Sequence, residues 1–110
     1  MEKLSLDAVA REQAHKAATA SSGRGAETVY GGHEKVLRQT VIALASGTSL
    51  TEHENPGEAT VLVLDGRVRL ASATAAWEGR KGDLIIVPPA RHSLEALTDA
   101  AVLLTVAKLA

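Results

Sequence analysis

Cysteine and phenylalanine are absent from the sequence, and its aromatic content is one Trp and one Tyr. The lack of cysteine excludes disulfides, thiolate–zinc sites and thiol catalysis. The near-absence of aromatics leaves Val, Leu, Ile and Ala to build the core, and the β-branched members of that set suit a sheet. Charge of one sign is missing too. Twelve Lys and Arg stand against 13 Asp and Glu, a net charge of −1. Such a balance gives no electrostatic footprint for nucleic acid or an anionic membrane, and little repulsion against self-association. No long apolar run opens the chain: MEKLSLDAVAREQ resembles neither a signal peptide nor a membrane helix, so a cytoplasmic location is the default expectation.

The 110 residues, 45% hydrophobic and 23% charged, fit one globular domain. Residues 5–20 read as the one good helix. Ser5 is placed to cap it and Asp7 suits its first turn, while Leu6, Val9, Ala10, Ala14, Ala17 and Ala18 share a face. That face is mostly alanine, so the helix needs a surface to lie on, either its own barrel or a second subunit. Ser21–Gly25 reads as the linker, giving residues 1–22 as helix and linker and 23–110 as a β-barrel.

From Ala26 the pattern becomes short strands separated by Gly31-Gly32, Ser46-Gly47, Pro56-Gly57, Asp65-Gly66, Lys81-Gly82 and Pro88-Pro89. Strands are expected near 27–30, 35–45, 49–54, 60–65, 67–72, 75–78, 83–87, 92–96 and 101–107. Leu64-Asp65-Gly66-Arg67 predicts a type I′ hairpin, since Asp-Gly accepts positive φ. The strands ATVLVL and AVLLTV are apolar on both faces. One face can fill a barrel, and the other needs a cover from the helix or a second copy.

Chemistry-bearing residues gather in two places. TEHENPGEATVLVLDG puts His53 and Asn55 two positions apart, on one face of a regular strand. GDLIIVPPARHSLEAL places His92 after a Pro-Pro turn. Glu52, Glu54 and Glu58 read as a solvated face, His15 and His33 as surface residues, Arg91 as a rim residue, and Trp77 as strand packing or an interface anchor. There is no G-x-S-x-G elbow, phosphate loop or dinucleotide fingerprint.

These two segments resemble the motifs of the cupin superfamily. In the first family pattern, G-x5-H-x-H-x3,4-E-x6-G, Gly47, His53 and Gly66 match, while Asn55 stands at the second His and Ala59 at the Glu. In the second, G-x5-P-x-G-x2-H-x3-N, Gly82 and Pro88 match. Ala90 and Ala96 replace the Gly and the Asn, and His92 arrives one residue early. The resemblance implies a mainly β fold, a double-stranded β-helix or jelly-roll barrel with one N-terminal α-helix. In metal-binding cupins two His and the Glu of the first motif join the His of the second, and of these His53 and His92 survive. The implied function is a barrel binding a small molecule, non-catalytic or sensory, in a cavity lined by His53, Asn55 and His92. The alternative is a metal-dependent enzyme, isomerase- or dioxygenase-like, with one divalent transition metal held by His53, His92 and Asn55. Glu58 would join that set only if a bulge near Pro56-Gly57 re-aimed it. The competing structural reading has both histidines merely hydrogen-bonded in a wet barrel mouth. The expected partners are a small ligand and a second copy in a homodimer.

Overall fold

The computed structural model describes residues 2–53 and 57–108; the side chains of Glu52 and His53 lie outside that description. Helix α1, Leu6–Thr19, begins where Ser5 Oγ accepts the Ala8 N–H at 3.2 Å. This bond satisfies one of the donors a helix start leaves unpaired. Ala10, Gln13 and Ala17 form its buried stripe, while Ala14 and Ala18, expected on the same face, are exposed.

Among the described residues nine strands follow: β1 Arg24–Tyr30, β2 Leu37–Leu44, β3 Ser49–His53, β4 Gly57–Asp65, β5 Arg67–Ser72, β6 Ala76–Arg80, β7 Leu84–Ile86, β8 His92–Ala96 and β9 Ala100–Lys108. They form a five-stranded sheet in the order β1-β2-β9-β4-β7 and a four-stranded sheet in the order β3-β8-β5-β6. All pairings are antiparallel, which gives the jelly roll expected from the strand spacing. Alternate residues of both sheets meet in a core built on Ile42, Leu44, Val61, Val63, Leu70 and Leu94. The absence of phenylalanine is met by these aliphatic side chains, interleaved at period two.

The apolar reverse of the five-stranded sheet is covered by α1. Ala10 and Ala17 pack on Val41, Ala43, Ala101 and Leu103. Small helical residues allow close approach, and Gly25 makes it closer still. A Cβ on Gly25 would stand 2.5 Å from the Gln13 carbonyl oxygen. For this reason the expected linker is shorter than Ser21–Gly25: Arg24 and Gly25 already pair with Leu44 and Ala43, directly beneath the helix.

The Asp65-Gly66 turn also departs from expectation. β4 is bonded to β9 on one side and β7 on the other, so it has no edge left for a hairpin partner. Instead, β5 pairs with β6 and β8 in the opposite sheet, and the turn carries the chain from one sheet to the other. Gly66 has φ 74° and no non-glycine residue among the described residues has positive φ, so the turn is not type I′. Gly66 is pressed against the Asp99 carbonyl, a position no Cβ could share, and Thr98 Oγ1 accepts the Arg67 N–H at 3.0 Å. The conformation is set by that long-range contact. Asp-Gly is permissive enough to adopt it.

Candidate functional site

The barrel end that receives the β3–β4 connection and the Pro88–Arg91 loop carries the residues singled out from the motifs. His92 opens β8, two positions before Leu94 and four before Ala96, both of which are in the core. It therefore lies on the inner face of the four-stranded sheet, and it is 5% exposed. Its Nδ1 is 2.8 Å from the Ala90 carbonyl oxygen. A carbonyl can only accept, so Nδ1 carries the proton and, in the neutral ring, Nε2 holds the lone pair. The Pro-Pro turn, with the Ala90 N–H donating to the Pro88 carbonyl at 2.8 Å, holds the acceptor in place.

His53 is brought to His92 by the backbone register. Ser49 faces Glu95 and Leu50 faces Leu94, after which the pairing shifts and His53 faces His92. A regular ladder from Leu50 would have set Glu52 opposite His92. One extra residue in β3, a β-bulge, sets His53 there instead. Simple alternation in the sequence does not reveal this bulge. Asn55 lies outside the described residues, as do Glu54 and Pro56.

The two first-motif positions on β4 are plain. Ala59, where the family pattern has Glu, packs against the core and offers no donor atom. Glu58 is exposed in an unbroken register, with Gly57 opposite Lys108, Glu58 opposite Ala107 and Ala59 opposite Val106. No bulge re-aims it, because the shift in this ladder comes between Val63 and Asp65. Glu58 thus stays on the reverse of the sheet. Among the described residues no group of three His, Cys, Asp or Glu side chains gathers as a metal cage would.

His15, His33 and Arg91 are exposed, as expected for surface and rim positions. Trp77 lies in strand β6. Its partner Leu70 faces the core, which puts Trp77 on the core side of edge strand β6, yet it is 44% exposed. The described residues also form grooves away from His92. One of about 580 Å³ runs along α1, between Ala14 and Ala18 on one side and Leu64 and Asp65 on the other. Another lies by the helix N-terminus, between Leu6, Tyr30 and Gln39. The helical groove is the feature the motif reading missed; its trace in the sequence is the Ala10, Ala14, Ala18 spacing.

Residues 40–107 match the family model described as the Cupin domain. The chain belongs to the cupin family, and its two-sheet barrel is that family's fold. Comparison with curated proteins gives no match. Among solved structures, a conserved protein of unknown function from Streptococcus pyogenes is 25% identical, with a TM-score of 0.73 over 83% of this chain and 79% of that one. A cupin superfamily protein from Desulfitobacterium hafniense is 16% identical, with a TM-score of 0.71 over 78% of each chain, a likeness of fold alone. A Cupin 2 conserved barrel domain protein from Leptotrichia buccalis is 26% identical, with a TM-score of 0.72 over 81% of this chain and 43% of that longer one. Among the described residues no helix is long and apolar enough to cross a membrane.

Proposed function

We propose that the barrel binds a small molecule at the His92 end, with His53, Asn55 and His92 as its polar contacts, in a non-catalytic or sensory role. The observation that carries this reading is the buried imidazole on the inner face of β8, its tautomer fixed by the Ala90 carbonyl. A buried imidazole whose orientation is held by a backbone carbonyl at the end of an aliphatic barrel is preorganised for recognition of a small polar molecule. Ala59 in place of the Glu removes a charge that metal chemistry in the family uses.

Thermal unfolding of the full chain against a panel of small metabolites tests the reading. A ligand at a hundredfold excess over its Kd adds about 2.7 kcal/mol, on the order of 10 °C in Tm. The expected result is a stabilising ligand whose effect disappears in His92→Ala and in His53→Ala. A ligand that stabilises both variants as much as the parent would place the site elsewhere.

The same fixed tautomer supports a second reading, a metal-dependent enzyme with a reduced ligand set. Metal-bound imidazoles commonly donate their other N–H to a carbonyl. His92 and His53 would hold the divalent ion with Asn55 as a third donor, and the metal would supply Lewis acidity. Elemental analysis of untagged protein, prepared without chelator, separates the two readings. Near one metal per chain, lost in the His53→Ala/His92→Ala variant, favours the enzyme. No metal after supplementation with iron, manganese, nickel and zinc rejects it.

A further inference from the structure

We propose that the small molecule held at the His92 end is an amphipathic monocarboxylate, its carboxylate paired with Arg38 and its apolar body lying along the inner face of the five-stranded sheet toward Trp77. The inference rests on the reading of the barrel end as a ligand site and names what that site selects. Neither motif includes Arg38; the β2–β9 ladder places it. The register runs unbroken from Leu37 opposite Ala107 to Leu44 opposite Ala100, with Arg38 opposite Val106. Ile42 and Leu44 are in the core between the sheets, and side chains alternate at period two, so Arg38 stands on the same inner face. Val106 is buried and faces Ala59 across the β4–β9 ladder. Val87, a core residue just past β7, donates its N–H to the Ala59 carbonyl at 3.1 Å. One row thus crosses the sheet near the start of β4: a guanidinium, then Val106, Ala59 and Val87.

The charge of this row is the reverse of the family pattern. That pattern has a Glu where Ala59 stands, whereas here the ionisable group is Arg38, two ladders away or about 10 Å between Cα atoms. Arg38 is exposed, and the ion pairs among the described residues, Lys16 with Glu12 and Arg67 with Glu78, leave it out. Lys108, at the same end of the sheet, is already engaged: its Nζ donates to the Gly32 carbonyl at 2.8 Å. Glu58 is on the reverse of the sheet and cannot neutralise the row from within. A divalent cation entering here meets a like charge. A carboxylate meets a planar fork of donors that matches its two oxygens, and one guanidinium balances one negative charge.

The far end of the row leads to Trp77. A Cβ on Gly79 would stand 2.9 Å from Ile85 Cδ1 and 3.2 Å from Val63 Cγ2, so β6 crosses the inner side of β7 and β4 at that level. Two residues along each strand toward the His92 end lead from Gly79 to Trp77 and from Ile85 to Val87. Trp77, on the core side of its strand and 44% exposed, leaves part of its ring available to an apolar ligand body.

Calorimetric titration of the full chain with 3-phenylpropanoate and hexanoate, beside their primary amides, tests the proposal. Trp77 is the sole tryptophan, so its fluorescence reports on the site directly. The acids are expected to bind, to shift the Trp77 emission, and to bind about tenfold or more tightly than the amides. Arg38→Gln, at an exposed position, should raise the Kd of the acids about tenfold with an unchanged circular dichroism spectrum, and leave the amides unaffected. Arg38→Lys, which keeps the charge and loses the fork, should recover part of that loss. The proposal is overturned by acids that fail to bind at millimolar concentration, by amides that bind as tightly, by acid binding that Arg38→Gln leaves unaltered, or by binding to which Trp77 is silent. In each of these cases the barrel-end site itself still stands if another metabolite stabilises the parent and not His92→Ala. Acid binding that needs Arg38 but survives both His92→Ala and His53→Ala overturns the barrel-end reading, and this inference with it.

Discussion

Gln13 is the most buried polar side chain among the described residues: it lies fully buried on the underside of α1, and its Nε2 donates to Glu27 Oε1 at 3.3 Å. Its Oε1 is a buried acceptor with no hydrogen-bond partner among the described residues. An unpaired buried acceptor costs about 1–3 kcal/mol, whereas an apolar group of the same shape is near neutral. Gln13→Met keeps the length of the side chain and removes the acceptor, so it should raise stability by about 1 kcal/mol, read as a higher urea midpoint at unchanged m. Gly25→Ala should do the opposite. The added methyl would press on the Gln13 carbonyl and on Lys16 Cβ, at 2.5 and 3.1 Å, and backbone must give way. A loss of about 1–3 kcal/mol is expected on the same assay. Neither residue stands out in the sequence. Gln13 has the look of a solvent-facing helical residue and Gly25 that of a linker, and only the helix lying across β1 gives them their roles. His92 and Ala59, by contrast, are legible from motif spacing alone, because a β-strand fixes inner and outer faces at period two. His53 reaches its place opposite His92 through a bulge that no spacing rule announces.

At the scale of elements, α1 is a short helix that owes its stability to what it covers. Its serine cap contributes about 1 kcal/mol, so Ser5→Ala should lower the thermal midpoint by a few degrees. Removing residues 1–22 is a harsher test, since it uncovers Val41, Ala43, Ala101 and Leu103 together. The truncated chain should bind a hydrophobic dye and aggregate at concentrations where the full chain stays clear; a dye-silent, soluble truncation would show that the helix is dispensable as a cover. The helix, its cap and all nine of the strand positions follow from residue pattern, because period 3.6 and period 2 leave separate marks. The partnering of those strands does not follow. The sequence between Leu64 and Arg67 fits a hairpin equally well, and it crosses between sheets because β9 and β7 have already taken both edges of β4.

For the whole molecule, the barrel and its family were readable from two degenerate motifs, since Gly47, Gly66 and Gly82 all take positive φ where the turns demand it. The order in which strands sit beside one another has a consequence for how the chain is made. β9, last in chain order among the described strands, lies in the middle of its sheet, bonded to β2 along Leu37–Leu44 and to β4 along Gly57–Asp65. Until it emerges from the ribosome, β2 and β4 both present open edges to solvent and the helix has half a floor. Nascent chains of this protein are therefore most vulnerable until β9 has been made, and a stop codon ahead of Ala100 should leave an aggregating product rather than a smaller barrel. Closure waits on contacts between residues more than 60 positions apart, such as Leu37 with Ala107, so refolding from denaturant should take milliseconds to seconds rather than microseconds.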